Sequence, residues 1–79
     1  MTIRVKVELM TGLRRAQKEK IFEVELPNDS TVKDLLTKLG FKEDEAEYLR
    51  VFVNEKLVTL SKVLKGGEDI WVGIIIGGG

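Results

Sequence analysis

Ser30-Thr31-Val32-Lys33-Asp34-Leu35-Leu36-Thr37-Lys38-Leu39-Gly40 is the stretch on which the fold turns. Val32, Leu35, Leu36 and Leu39 fall at i, i+3, i+4 and i+7, so one stripe of a helix is apolar and the rest polar. Thr31 or Ser30 supplies the N-cap. Thr31 with Asp34 three residues later forms an approximate capping box, with Asp in place of the longer Glu. Gly40 stops the helix as its C′ residue. A helix with a single leucine stripe must bury that stripe against something else, and the flanking sequence supplies a sheet.

Upstream, residues 3–9 alternate Ile3, Val5, Val7 and Leu9 with Arg4, Lys6 and Glu8, the period of two that marks a strand with one buried face. Residues 21–26 place Phe22, Val24 and Leu26 inward and Glu23 and Glu25 outward, and Pro27 closes this second strand. Between them, residues 11–20 carry Arg14, Arg15, Lys18 and Lys20 with few apolar anchors. They read as an exposed basic connection, either a docking patch for an acidic partner or an ordinary solvated loop. Downstream, residues 42–47, with four acids among six (Glu43, Asp44, Glu45 and Glu47), suggest a short helical turn ending near Tyr48. Leu49, Val51 and Val53 then share one strand face, with Arg50 and Phe52 on the other. Asn54-Glu55-Lys56 reads as a tight turn into a fourth strand at residues 57–60. Gly66 and Gly67 provide a turn of positive φ, and residues 69–75 form the last strand, with Ile70 and Val72 toward the core. The order strand, strand, helix, strand, strand, strand predicts an α+β fold: a mixed sheet of about five strands with one main helix on one face.

The chain of 79 residues reads as a single domain spanning residues 1–79. Thirteen basic and thirteen acidic residues cancel, so no net field draws the protein to nucleic acid or to an anionic membrane. There is no cysteine and no histidine. A thiolate nucleophile, a disulfide framework and the commonest general base are therefore missing, and no catalytic or metal-binding residue is expected. With no secretion signal and no apolar run of membrane-spanning length, the expected location is cytoplasmic.

The chain ends Gly73-Ile74-Ile75-Ile76-Gly77-Gly78-Gly79. Terminal glycines build no core, and their freedom from a Cβ lets the backbone thread a narrow channel. Residues 74–79 are expected to be a flexible tail whose chemical group is the carboxylate of Gly79, although glycine-rich ends are also commonly frayed chain. The run Ile74-Ile75-Ile76 extends the last strand or lines the channel of a partner. Strand alternation puts Phe52 and Trp71 on the helix-free face, rimmed by Arg50. Two large aromatics there predict a docking surface.

Three stretches together resemble the β-grasp, ubiquitin-like sulfur-carrier proteins: Ser30-Thr31-Val32-Lys33-Asp34-Leu35-Leu36, Val53-Asn54, and Leu64-Lys65-Gly66-Gly67-Glu68-Asp69-Ile70 running toward the terminal glycines. The length and the long first connection look most like the small subunit of molybdopterin synthase. The resemblance implies a carrier rather than an enzyme, with no bound cofactor. An adenylating enzyme related to the ubiquitin-activating enzymes would use ATP to activate the Gly79 carboxylate, and a sulfur donor would convert it to a thiocarboxylate. The sulfur would pass to a pterin precursor on a larger synthase subunit or to another sulfur acceptor, with Ile75, Ile76, Gly77 and Gly78 in the partner's channel. Two alternatives share the first step: a thiamine-type sulfur carrier, and a protein modifier joined through Gly79 to target lysines.

Overall fold

The computed structural model of the chain describes residues 1–10 and 21–74. The basic connection at residues 11–20 and the tail at residues 75–79 lie outside the described residues. In chain order come β1 (Thr2–Leu9), β2 (Ile21–Pro27), α1 (Val32–Lys38), α2 (Glu43–Ala46), β3 (Leu49–Val53), β4 (Lys56–Val58) and β5 (Asp69–Ile74). The strands form one sheet in the order β2-β1-β5-β3-β4. β1 and β2 pair antiparallel, as expected of an N-terminal hairpin, and β5 enters beside β1 in the parallel sense, which makes the sheet mixed.

The expected helix forms for the reasons legible in its sequence. Thr31 is the N-cap: its Oγ1 accepts from the Asp34 amide at 3.3 Å, and Asp34 Oδ2 accepts from the Thr31 amide at 2.9 Å. The shorter acid closes the box. The remaining orphan amides of the first turn are met by another part of the chain. Val32 N donates to Lys62 O at 2.9 Å and Lys33 N to Leu60 O at 3.0 Å. At the other end Gly40 takes φ 96, Gly40 N donates to Thr37 O and Phe41 N to Leu36 O. These are the two bonds of a Schellman motif, and they turn Phe41 back into the core.

The core lies between α1 and one face of the sheet. Val32, Leu35, Leu36 and Leu39 from the helix meet Val5, Val7, Leu26, Val51, Val53, Ile70 and Val72 from the strands, all buried. Leu64, on the connection between β4 and β5, closes one end, held by its amide donating to Ser30 O at 2.8 Å. Ser30 is the one buried polar residue among those described, and its Oγ donates to Pro27 O at 2.7 Å. That bond meets the cost of burying a hydroxyl.

The fourth strand differs from expectation. Asn54 and Glu55 alone make the turn, with φ 50 and φ 71, and Lys56 already pairs with Val53. The turn thus has two residues rather than three, the geometry whose twist matches that of the flanking strands. The strand then stops at Val58, short of Leu60. Leu60 and Lys62 lend their carbonyls to the start of α1 instead of to a strand partner.

Candidate docking face and tail root

The face of the sheet away from α1 is built by the same strands that build the core. In β3 and β5 every second residue points away from the helix: Arg50 and Phe52, and Asp69, Trp71 and Gly73. The register places Phe52 directly opposite Trp71, and Arg50 opposite Gly73. Phe52 and Trp71 meet edge to face, with ring centroids 5.6 Å apart and planes at 68°. This is a favourable arrangement for two aromatic quadrupoles.

The two rings belong to a row that crosses all five strands. Leu57 pairs with Phe52, Phe52 with Trp71, Trp71 with Glu8 and Glu8 with Ile21. Leu57 is 58% and Ile21 45% exposed, among the most exposed large apolar residues of the described chain. The two were not singled out as part of the docking surface in the sequence. Ile21 follows from strand alternation alone, whereas Leu57 requires the register of β4, which the three-residue reading of the turn obscured. A shallow groove lies along this row, lined by Phe52, Trp71 and Ile21 with Lys6 and Asp69 beside them.

Phe52 and Trp71 are half-buried rather than fully open. Part of the cover comes from the sheet itself. A Cβ placed on Gly73 would overlap the six-membered ring of the Trp71 indole, so the indole lies along its own strand, over the Gly73 backbone. Gly73 is buried beneath it. Arg50 shares the face, but its Nη1 is turned toward the carbonyl of Leu49 at 3.2 Å. It is two residues from Phe52 on the same face of β3 and lies opposite Gly73 of β5.

The turns around this face are held by specific bonds. Asn54 Oδ1 accepts from the Asp69 amide at 3.0 Å, and Asn54 N donates to Asp69 O at 2.8 Å, tying the β3–β4 turn to the start of β5. Gly67, at φ 85, donates to Arg4 O, and Lys6 N donates to Glu68 O, which sets β5 into register beside β1. Register then delivers Ile74 opposite Leu49 at the end of the sheet, where the tail begins.

Among the described residues no helix is long and apolar enough to cross a membrane, and no group of acidic residues is arranged to hold a metal ion. The expected site residues Ile75, Ile76, Gly77, Gly78 and Gly79 lie outside the described residues.

A mixed five-stranded sheet with a main helix on one face and the aromatic row on the other defines the class, a ubiquitin-like β-grasp protein. Residues 7–79 match the ThiS family. The chain belongs to that family, and so to the ubiquitin-like sulfur carriers that its three motifs resemble. Solved structures agree on the fold. Small archaeal modifier protein 1 of Haloferax volcanii is 17% identical with a TM-score of 0.78, over 94% of this chain and 99% of that one. A putative molybdopterin converting factor subunit 1 from Pyrococcus furiosus is 24% identical with a TM-score of 0.75, over 94% and 99%. The Helicobacter pylori complex of subunits 1 and 2 of molybdopterin-converting factor contains a chain 23% identical with a TM-score of 0.63, over 98% and 100%. No curated protein matches the sequence.

Proposed function

We propose that this protein carries sulfur on the carboxylate of Gly79 for the synthesis of molybdopterin, as a small subunit that is acted upon and does not itself catalyse. The observation that carries the reading is membership of the ThiS family over residues 7–79, a span that includes the whole glycine end. In the proposed cycle an adenylating enzyme couples the Gly79 carboxylate to ATP, giving the acyl-adenylate and pyrophosphate. A sulfide-level sulfur nucleophile from a donor then attacks the acyl carbon, the bond to AMP breaks, and a thiocarboxylate remains. With no cysteine in the chain, Gly79 is the one position that this chemistry can load.

In this scheme the domain is the handle and Phe52, Trp71 and Arg50 are its grip. Residues 75–78 thread the partner's channel, where Gly77 and Gly78 leave no side chain to meet the walls. The synthase role draws support from the likeness to subunit 1 of the Pyrococcus and Helicobacter converting factors, the latter solved together with its subunit 2. The proposed location is the cytoplasm, where ATP for the adenylating step is at hand.

A second reading rests on a separate observation: the chain superposes equally well on a small archaeal modifier protein. Conjugation to a lysine would share the adenylate and differ in the nucleophile. Intact-mass analysis of protein purified from its own source separates the two. A gain corresponding to one oxygen replaced by sulfur at Gly79 is the expected result. Isopeptide adducts on other proteins, with no thiocarboxylate, would overturn the carrier reading in favour of the modifier.

A further inference from the structure

The indole of Trp71 occupies the space that a side chain on residue 73 would need. Trp71 and Gly73 are next but one along β5 and therefore neighbours on the same face of the sheet. A tryptophan lying on a strand glycine gains van der Waals contact with the backbone below it, and the glycine, otherwise a weak point in a strand, gains a cover. Phe52, directly opposite on β3, meets the indole edge to face. The indole thus rests over Gly73 with Phe52 beside it.

This seat lies at the root of the tail. From Ile74 to Gly79 the chain adds five residues, which reach at most about 18 Å when fully extended. An enzyme that closes its active site around the Gly79 carboxylate must therefore bring its body against the end of the sheet from which β5 emerges. α1 covers one face there. The other face presents Trp71 on Gly73, with Arg50 across from Gly73 and Phe52 across from Trp71. The tether limits the occupant of this patch to an enzyme that handles the tail's carboxylate, and of these the one that activates it acts first.

We propose that Gly73 is a positioning residue for tail activation. By leaving room for the indole to lie down, it gives the activating enzyme an apolar surface within the tail's extended reach, about 18 Å, of the carboxylate. A side chain at position 73 lifts the ring out of the sheet and spoils the fit of the enzyme's body, while the chemistry at Gly79 is untouched. The inference rests on the reading of Gly79 as the activated group.

The test is a double-mutant cycle on Gly73→Ala and Trp71→Leu, each variant assayed with the cognate adenylating enzyme by ATP–pyrophosphate exchange. Thermal unfolding of each variant is measured alongside. Gly73→Ala is expected to raise KM on the order of tenfold, the size of a lost hot-spot contact, and to leave kcat within about twofold. In the Trp71→Leu background the same Ala is expected to have no further effect, because the ring it displaces is gone. In the free protein, the Gly73 α-protons of the unsubstituted chain are expected at upfield NMR shifts from the ring current of the single tryptophan. Equal effects of Gly73→Ala in both backgrounds, or no effect in either, would overturn the positioning role. If Trp71→Leu raises KM while Gly73→Ala does not, the seat is wrong and the docking face stands. If the unsubstituted chain supports no exchange at all, the activation of Gly79 is itself wrong.

Discussion

The two faces of the sheet are made by the same backbone and have opposite fates. Val51, Val53, Ile70 and Val72 point one way and are buried against α1; Arg50, Phe52, Trp71 and Gly73 alternate with them and point the other way. The inner face is a packed core whose members are aliphatic and interchangeable in kind. The outer face is specific, with one aromatic pair at a defined angle and one glycine shaped to the ring above it. The inner side holds the domain together, and the outer side has residues whose size and order serve little purpose in a core.

The contrast can be broken most severely from inside. Leu35, fully buried in the helix stripe, should cost about 2–5 kcal/mol when changed to Ala, because the cavity left between helix and sheet cannot collapse. Urea unfolding measures it, and a loss below about 1 kcal/mol would mean that the helix is not the lid of the core. The outer face should respond differently. Phe52→Ser with Trp71→Ser removes the edge-to-face pair and some partly buried area. It should cost about 1–2 kcal/mol of stability, yet weaken binding of the activating enzyme by tenfold or more. Unchanged affinity in a titration would reduce the row to ordinary surface.

Smaller effects sharpen the account of what places the face. Asn54→Ala deletes the acceptor that holds the Asp69 amide and puts a less tolerant residue at positive φ, an expected loss of about 1–2 kcal/mol. Glu55, at φ 71, should gain about 0.5 kcal/mol on change to Gly, since relief of the left-handed strain slightly exceeds the added chain entropy. A destabilised Glu55→Gly variant would argue that the Glu55 side chain stabilises the turn in a way that its backbone geometry does not reveal.

The same contrast marks what the sequence could and could not disclose. Periodicity carried the inner face, because a core asks only for apolar residues at the right interval: Val32, Leu35, Leu36 and Leu39 in the helix and the alternating valines in the strands. The caps were equally visible, since Thr31, Asp34 and Gly40 act over three or four residues. Alternation also placed Phe52 and Trp71 on a common face. It could not say that they oppose one another, because that depends on the register between β3 and β5, a long-range choice. Leu57 was missed for a related reason. A two-residue turn at Asn54-Glu55 lacks the glycine that usually announces one, so the turn read one residue too long. Gly73 read as part of the glycine end, and only the position of the Trp71 ring shows what its missing side chain makes room for.

Removing Gly78 and Gly79 asks whether the Gly79 carboxylate is the working group, with ATP–pyrophosphate exchange by the cognate adenylating enzyme as the readout and the thermal midpoint as the control. An unchanged midpoint and no detectable exchange are expected, because the domain is intact and its working carboxylate is out of reach. A shortened chain that is activated as well as the full one would contradict that role for Gly79.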